Sequence, residues 1–411
     1  MSHPNYRLYL AGSVVSNIGT WMQRIAQDWL VLSIPGNGGS ELGITTGLQF
    51  LPILLLSPYA GVVADLFPKR RLLQVTQAAM ALAAAVLAVI AILGAAQTWH
   101  VYVLAFAFGT GAAFDAPARQ AFVSELVGPD DVPNAIGLNS AAFNTARLVG
   151  PALAGLLIGT LGGGMVATGW VIGLNAVSYL AVIGQLHRMD PGRLLSTRPS
   201  SRRRGMLRDG LVYLRGQPKM LMILVLVFFV GTFGMNFTIT SALMATEVYG
   251  KGASEFGVLG SALAVGSLGG ALLAARRTRV RLRLLFVAAI GFGLALIAAA
   301  VQPTYLLFVL FCPLLGLATI TLLNSANATL QIESDPDLRG RVMAIYMTIL
   351  MGGTPLGAPV IGWIGEQWGA RWTLVVGGVL VLLGVLLALL VHEATRRRTP
   401  THERVPAVTA A

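Results

Sequence analysis

Apolar residues run along this chain in long, nearly unbroken blocks set off by short polar segments. A helix needs roughly 20 apolar residues to cross the hydrocarbon of a bilayer. Blocks of about that length or more lie at 9–33, 41–65, 72–95, 99–122, 134–161, 165–186, 219–246, 256–275, 284–301, 304–329, 342–365 and 372–391. In hydrocarbon each backbone polar group must be satisfied within its own segment or within a closed barrel, so these blocks read as helices gathered into a bundle. The expected fold class is an all-α membrane protein of twelve transmembrane helices in two six-helix halves. The first, fourth and fifth blocks carry ionisable residues; the third and twelfth do not.

The longest polar segment, residues 187–217, falls after six spans and before six. It holds Arg202, Arg203 and Arg204 among Ser and Pro and reads as a solvated cytoplasmic linker. The expected divisions are therefore 1–186, 187–217, 218–395 and a cytoplasmic tail, 396–411. The halves also resemble each other. A shift of 207 carries Pro129, Asp130, Gly150 and Gly155 onto Pro336, Asp337, Gly357 and Gly362. A shift of 214 carries Ser40, Glu41 and Gly43 onto Ser254, Glu255 and Gly257. A parallel six-plus-six repeat places a substrate site between the halves.

Composition agrees with the pattern: 55% of residues are hydrophobic and 11% charged, against about 25% charged in soluble domains. The net charge of +12 would suggest nucleic acid in a soluble protein. Here its location argues otherwise. Of 29 basic residues, Arg24, Arg119 and Arg147 lie within spans. Only Lys251 and Arg371 lie in the segments on the far side from the N-terminus. The other 24 share the near side, which the positive-inside rule makes cytoplasmic, with both termini. The surplus is a topology signal with a lipid headgroup as its contact, and no nucleic acid is expected. Residues 1–11 lack the basic, apolar and cleavage regions of a signal peptide, so the first span is expected to stay. One cysteine, Cys312, allows no internal disulfide and reads as a packing residue. His3, His100, His187, His392 and His402 read as terminal or loop residues and form no metal or catalytic cluster. No phosphate-binding Gly-Lys-Ser/Thr loop occurs. No metal, cofactor or enzymatic activity is expected.

Three groups of residues carry candidate chemistry. At the near-side end of the second span stand Gly61, Asp65, Lys69 and Arg70. An aspartate at a helix C-terminus faces the negative end of the helix dipole and needs a partner. This spacing resembles the loop signature of the major facilitator superfamily, with Leu66 and Pro68 departing from its usual basic residue and glycine. In that family the aspartate meets the start of the eleventh helix and latches the cytoplasmic side; without the resemblance the segment is an ordinary basic loop. In the fifth span, Gly137, Ala146, Gly150, Pro151, Ala154 and Gly155 are small residues at helical spacing around a bending proline. They resemble the antiporter signature of the same superfamily, with Ala146 and Ala154 in place of glycines. Plain helix packing would use the same residues.

The third group is polar residues inside spans. A charge at mid-helix costs about 2.5–3.5 kcal/mol on insertion scales, so such residues face a cavity or a partner. The first span carries Asn17, Gln23, Arg24, Gln27 and Asp28; the fourth carries Asp115 and Arg119; the fifth carries Arg147. Arg24/Asp28 and Asp115/Arg119 are spaced i,i+4, on one helix face. Either Asp28 or Asp115 carries a proton, with the arginines as tuning partners, or both pairs are permanent structural ion pairs. By the superfamily resemblance, spans one, four, seven and ten line the cavity, so Asn236, Asn324 and Asn327 join the candidates.

The run Asp115, Pro117, Arg119, Gln120, with Asn134, Asn144, Arg147 and Pro151 and the opening Asn5, Arg7, Gly19 and Trp21, is similar to the enterobactin-exporter-like branch, the transmembrane secretion effectors. The resemblance covers nearly the whole chain. It implies alternating access in a bacterial cytoplasmic membrane, and proton-coupled export of a small lipophilic molecule such as an antibiotic or siderophore, without an obligate protein partner. An importer or uniporter of the same fold, and a non-transporting receptor or scaffold, stand as the alternatives.

Overall fold

The computed structural model describes residues 3–195, 206–277, 282–336 and 338–398. It is a helical bundle. Its helices are α1 (Pro4–Ser33), α2 (Gly39–Leu66), α3 (Lys69–Ile92), α4 (Thr98–Leu126), α5 (Val132–Thr160), α6 (Met165–Arg188), α7 (Met206–Arg215), α8 (Pro218–Phe229), α9 (Phe237–Leu243), α10 (Ala253–Ala275), α11 (Leu282–Ala300), α12 (Tyr305–Glu333), α13 (Arg339–Gly352), α14 (Thr354–Trp368) and α15 (Ala370–Arg398). Within the described residues, 11 helical segments are long and apolar enough to cross a membrane. The remaining span of the sequence reading, the first, is α1. It has the length, but its polar residues dilute its hydropathy. Packing resolves this, because half of its residues are buried, among them Asn5, Ser13, Ser16, Gln23, Gln27 and Asp28.

Two spans are broken. The seventh runs from Pro218 to Val248 through π-helical turns at Val230–Gly234 and Met244–Val248. The eleventh is interrupted between α13 and α14 at Gly353, whose own backbone angles stay helical. The breaks touch: a Cβ at Gly353 would lie 2.4 Å from the Thr232 Oγ1. Irregular backbone at membrane depth is tolerated where protein covers it.

α1 packs on α5 and α6, α2 on α4, and α3 on α4 and α6. In the second half α10 packs on α12, α11 on α12 and α15, and α15 on α8. The main contacts across the halves are α2 on α14 and α5 on α10. Six of the seven tryptophans lie toward the end of the bundle that holds the α1–α2 turn, and Trp363, Trp368 and Trp372 are about half exposed there. Amphipathic rings collect where hydrocarbon meets water.

Three expectations change. The linker region contains α7, an amphipathic helix whose Leu214 is buried and whose Tyr213 hydroxyl accepts the Asp335 N–H at 3.2 Å. Apolar residues at helical spacing gave it a face to bury, so this part is not a solvated loop. Arg202, Arg203 and Arg204 lie outside the described residues, as do Asp337, residues 278–281 and residues 399–411 of the tail. α15 continues through Arg398, past the expected start of the tail. His100, His187 and His392 lie within α4, α6 and α15 rather than in loops.

Candidate functional site

The two acid–arginine pairs expected from spacing have different fates. Asp115 on α4 is 6% exposed. Its Oδ1 accepts from the Thr76 hydroxyl at 2.9 Å and the Gln77 amide at 2.7 Å, both on α3. Its Oδ2 takes the Arg119 Nε–H at 3.0 Å, an ion pair one turn away. Arg119 also reaches the Ser13 hydroxyl of α1 at 3.4 Å. Three donors converge on one carboxylate, and the network ties α1, α3 and α4 together. Thr76 and Gln77 were legible only as two of the three polar positions, with Gln74, in an otherwise apolar span.

Arg24 and Asp28 share a face of α1 but form no ion pair. Asp28 is also 6% exposed and makes no hydrogen bond among the described residues. The Arg24 guanidinium lies 4.9 Å from the centroid of the Trp21 ring and 5.2 Å from that of Phe50 on α2. Arg147 of α5 lies 5.7 Å from the same Trp21 ring. Phe143 meets Trp21 edge-on at 5.8 Å. A ring face attracts a cation by about 0.5–2 kcal/mol, which offsets part of the cost of a guanidinium at membrane depth. Neither arginine has a hydrogen bond or a carboxylate partner among the described residues. Two cations, neither of them hydrogen-bonded, therefore gather around one indole, with Asp28 one turn from Arg24 along α1. The sequence could place Trp21 on the face of Arg24 but not bring Phe50 or Arg147 to it.

The other polar candidates are dispersed. Asn17 is half-buried and Gln27 buried. Asn324 is exposed, and the Asn327 carbonyl accepts from Gln331 one turn on. Asn236 is buried; its amide donates to the Thr232 carbonyl at 2.8 Å, and its Oδ1 has no partner among the described residues. Gln23 is drawn instead to Asn175 of α6.

The basic pair of the loop signature acts within the first half. Lys69 pairs with Glu125 of α4 at 3.1 Å. Arg70 donates to the Leu186 carbonyl at 2.6 Å and the His187 carbonyl at 2.9 Å, capping the C-terminus of α6. A cation there complements the exposed carbonyls and the helix dipole. Gly61 is buried, and Asp65 is half-buried at the end of α2. The basic pair thus braces α3, α4 and α6 against one another.

The fifth-helix signature acts between the halves. A Cβ at Gly155 would lie 2.5 Å from the Ala253 carbonyl and 3.0 Å from the Gly257 Cα. The Ser261 hydroxyl donates to the Leu148 carbonyl at 2.7 Å, and that of Ser254 to the Gly155 carbonyl at 3.2 Å. A Cβ at Gly150 would instead meet Trp21 Cβ at 2.6 Å, so Gly150 lets α5 approach α1. Pro151 lines the seam: its carbonyl would lie 2.4 Å from a Cβ at Gly257.

Comparison with known proteins adds the following. The family model described as transmembrane secretion effector matches residues 1–405. The multidrug efflux pump Tap of Mycolicibacterium fortuitum is 28% identical over 397 residues, 93% of this chain and 95% of that protein. Macrolide efflux protein A of Streptococcus pyogenes is 23% identical, over 93% and 95% of the two chains. The staphyloferrin A transporter of Staphylococcus aureus is 32% identical over 153 residues, 37% of this chain and 38% of that one. Among solved structures, a bacterial homologue of the human lysosomal transporter Spinster superposes with a TM-score of 0.78 at 14% identity, covering 97% of this chain and all of that one. A bacterial homologue of the iron transporter ferroportin gives 0.71 at 16% identity, over 94% and 98%.

Proposed function

This chain belongs to the transmembrane secretion effector family, and on that premise we propose that it exports small lipophilic molecules, of the antibiotic or siderophore kind, across the bacterial cytoplasmic membrane by alternating access. The observation that carries export is the match, over 93% of the chain, to proteins named as efflux pumps. The charge asymmetry supports an orientation with both termini and the linker in the cytoplasm. The helix seams described above then lie at the outer end, which supports a state closed outward. No protein partner is needed for this cycle.

Protons entering drive substrate out, and Asp28 is the carrier. Coupling requires a group whose protonation shifts the balance between the two states. Protonating Asp115 would weaken three hydrogen bonds already made to its anion, one of them from a guanidinium. Asp28 has none to break, and the Arg24 charge stands one turn away. Arg24 and Arg147 tune it, while Asp115 with Arg119 holds the first half together.

The test uses proteoliposomes with an inward proton gradient and an internal pH dye. Lipophilic antibiotics and siderophores are added to wild type, Asp28→Asn and Asp115→Asn. Substrate-triggered proton entry is expected in wild type and in Asp115→Asn protein that folds, and not in Asp28→Asn. Proton entry that survives Asp28→Asn moves the carrier elsewhere. Folded wild type that moves no compound ends the export reading.

A further inference from the structure

The group around Trp21 has a composition that proton transfer alone does not require. Arg24 and Arg147 come from two helices to one indole ring, and neither is neutralised by an ion pair. The nearest acid on the same face, Asp28, is one turn from Arg24 and is also unpaired. A membrane-embedded guanidinium ordinarily finds a counter-charge, because the unpaired charge is costly. Asp115 and Arg119 show that this chain builds such pairs where it needs them. Leaving two cations unpaired around half-exposed aromatic rings, with a buried acid one turn from Arg24, leaves charge available to a ligand. Arg24, Arg147, Trp21 and Phe50 are each half-buried and Phe143 is 45% exposed, so the cations and rings are reachable; Asp28, 6% exposed, is the least open member.

Resting on the export reading, we propose that Trp21, Arg24, Arg147 and Asp28 form the substrate-recognition site and select an amphoteric aromatic compound, one carrying both an acidic group and a basic amine. The acidic group pairs with the guanidinium groups, which bind planar anions by two parallel hydrogen bonds. The flat apolar part lies against Phe143 and Phe50. The ammonium reaches Asp28. This arrangement also explains exchange, because ammonium and proton compete for one carboxylate. A purely anionic substrate would be repelled by ionised Asp28 and would favour its protonation, which couples the wrong way for antiport. A purely cationic one would face two unpaired arginines.

Four matched naphthalene probes decide it: a carboxylate, an aminomethyl derivative, a molecule with both groups, and a neutral amide. Their binding to protein in lipid nanodiscs is measured by equilibrium dialysis. Wild type is expected to bind the amphoteric probe at least about tenfold more tightly than any other, the scale of one charge-assisted contact. Arg147→Gln weakens the two acid-bearing probes and spares the amine, and Arg147→Lys restores part of the loss. Asp28→Asn weakens the two amine-bearing probes and spares the carboxylate. Four probes bound alike by wild type, or no binding by any, overturn the proposal whatever the variants do. So does an Arg147→Gln variant of unchanged thermal stability that lowers all four equally. Efflux of neutral lipophilic dyes from cells is scored in parallel. Dye export with charge-blind binding leaves export standing and removes this site. Charge-selected binding without any export does the reverse.

Discussion

The Cα of Gly257 on α10 lies 3.0 Å from where a Cβ on Gly155 of α5 would stand, and the Cα of Gly43 on α2 lies at the same 3.0 Å from a Cβ built on Gly362 of α14. The two contacts are one contact repeated. A shift of 214 relates Gly43 to Gly257, and a shift of 207 relates Gly155 to Gly362. Gly155 meets Gly257, and their counterparts in the other half, Gly362 and Gly43, meet each other. The glutamates of the same repeat match as well: Glu41 accepts the Gly38 N–H at 2.8 Å and Glu255 that of Gly252 at 3.2 Å, starting α2 and α10. Small residues at helix crossings let backbones touch, which is the main source of helix association in lipid.

Gly155→Leu or Gly362→Leu is therefore expected to open the end of the bundle that holds the α1–α2 turn. Overpacking costs about 1–3 kcal/mol, enough to shift a two-state balance by about 5–150-fold. Alkylation of a cysteine introduced at Ser261, in a Cys312→Ser background, reads the change. Unaltered alkylation together with unaltered transport would mean that the seam is not a gate.

The Asp115 network should behave as a structural brace. Asp115→Asn leaves the Arg119 guanidinium without its anion and is expected to destabilise by about 3–5 kcal/mol. Thr76→Val and Gln77→Leu each remove one neutral donor and should cost about 1–2 kcal/mol. Asp28→Asn removes no hydrogen bond and should leave thermal unfolding in detergent nearly unchanged. Equal losses for Asp28 and Asp115 would contradict the division of roles.

Lys69 and Glu125 are both mostly buried at their contact. A double-mutant cycle on Lys69→Ala and Glu125→Ala should give coupling of about 1 kcal/mol or somewhat more, above that of exposed pairs. Arg70→Ala should expose the end of α6 to faster hydrogen exchange at His187 and Arg188. Zero coupling and unchanged exchange would return the basic pair to a plain loop.

Orientation is checked by an impermeant maleimide on spheroplasts. A cysteine at Lys251 should react in intact spheroplasts, and one at Arg193 only after permeabilisation. The opposite pattern would invert the topology.

The number, order and approximate limits of the spans were readable from sequence because bilayer thickness demands long apolar runs, and nothing else in the chain mimics them. The small-residue pattern of α5 and the internal repeat were readable too, since both are written in residue identity and spacing. Spacing could also place Arg24 with Asp28 and Asp115 with Arg119 on common faces. It could not say that only the second pair closes. That was settled by what the neighbouring helices present: α3 offers Thr76 and Gln77 to Asp115, whereas α1 itself, α2 and α5 offer Trp21, Phe50 and a second cation to Arg24. The same holds for Lys69 and Arg70, whose partners lie 56 and 116 residues away at Glu125 and Leu186. A local pattern fixes which face a residue occupies; the energy of a charge in a membrane depends on what the facing helix brings to it, and only packing decides that.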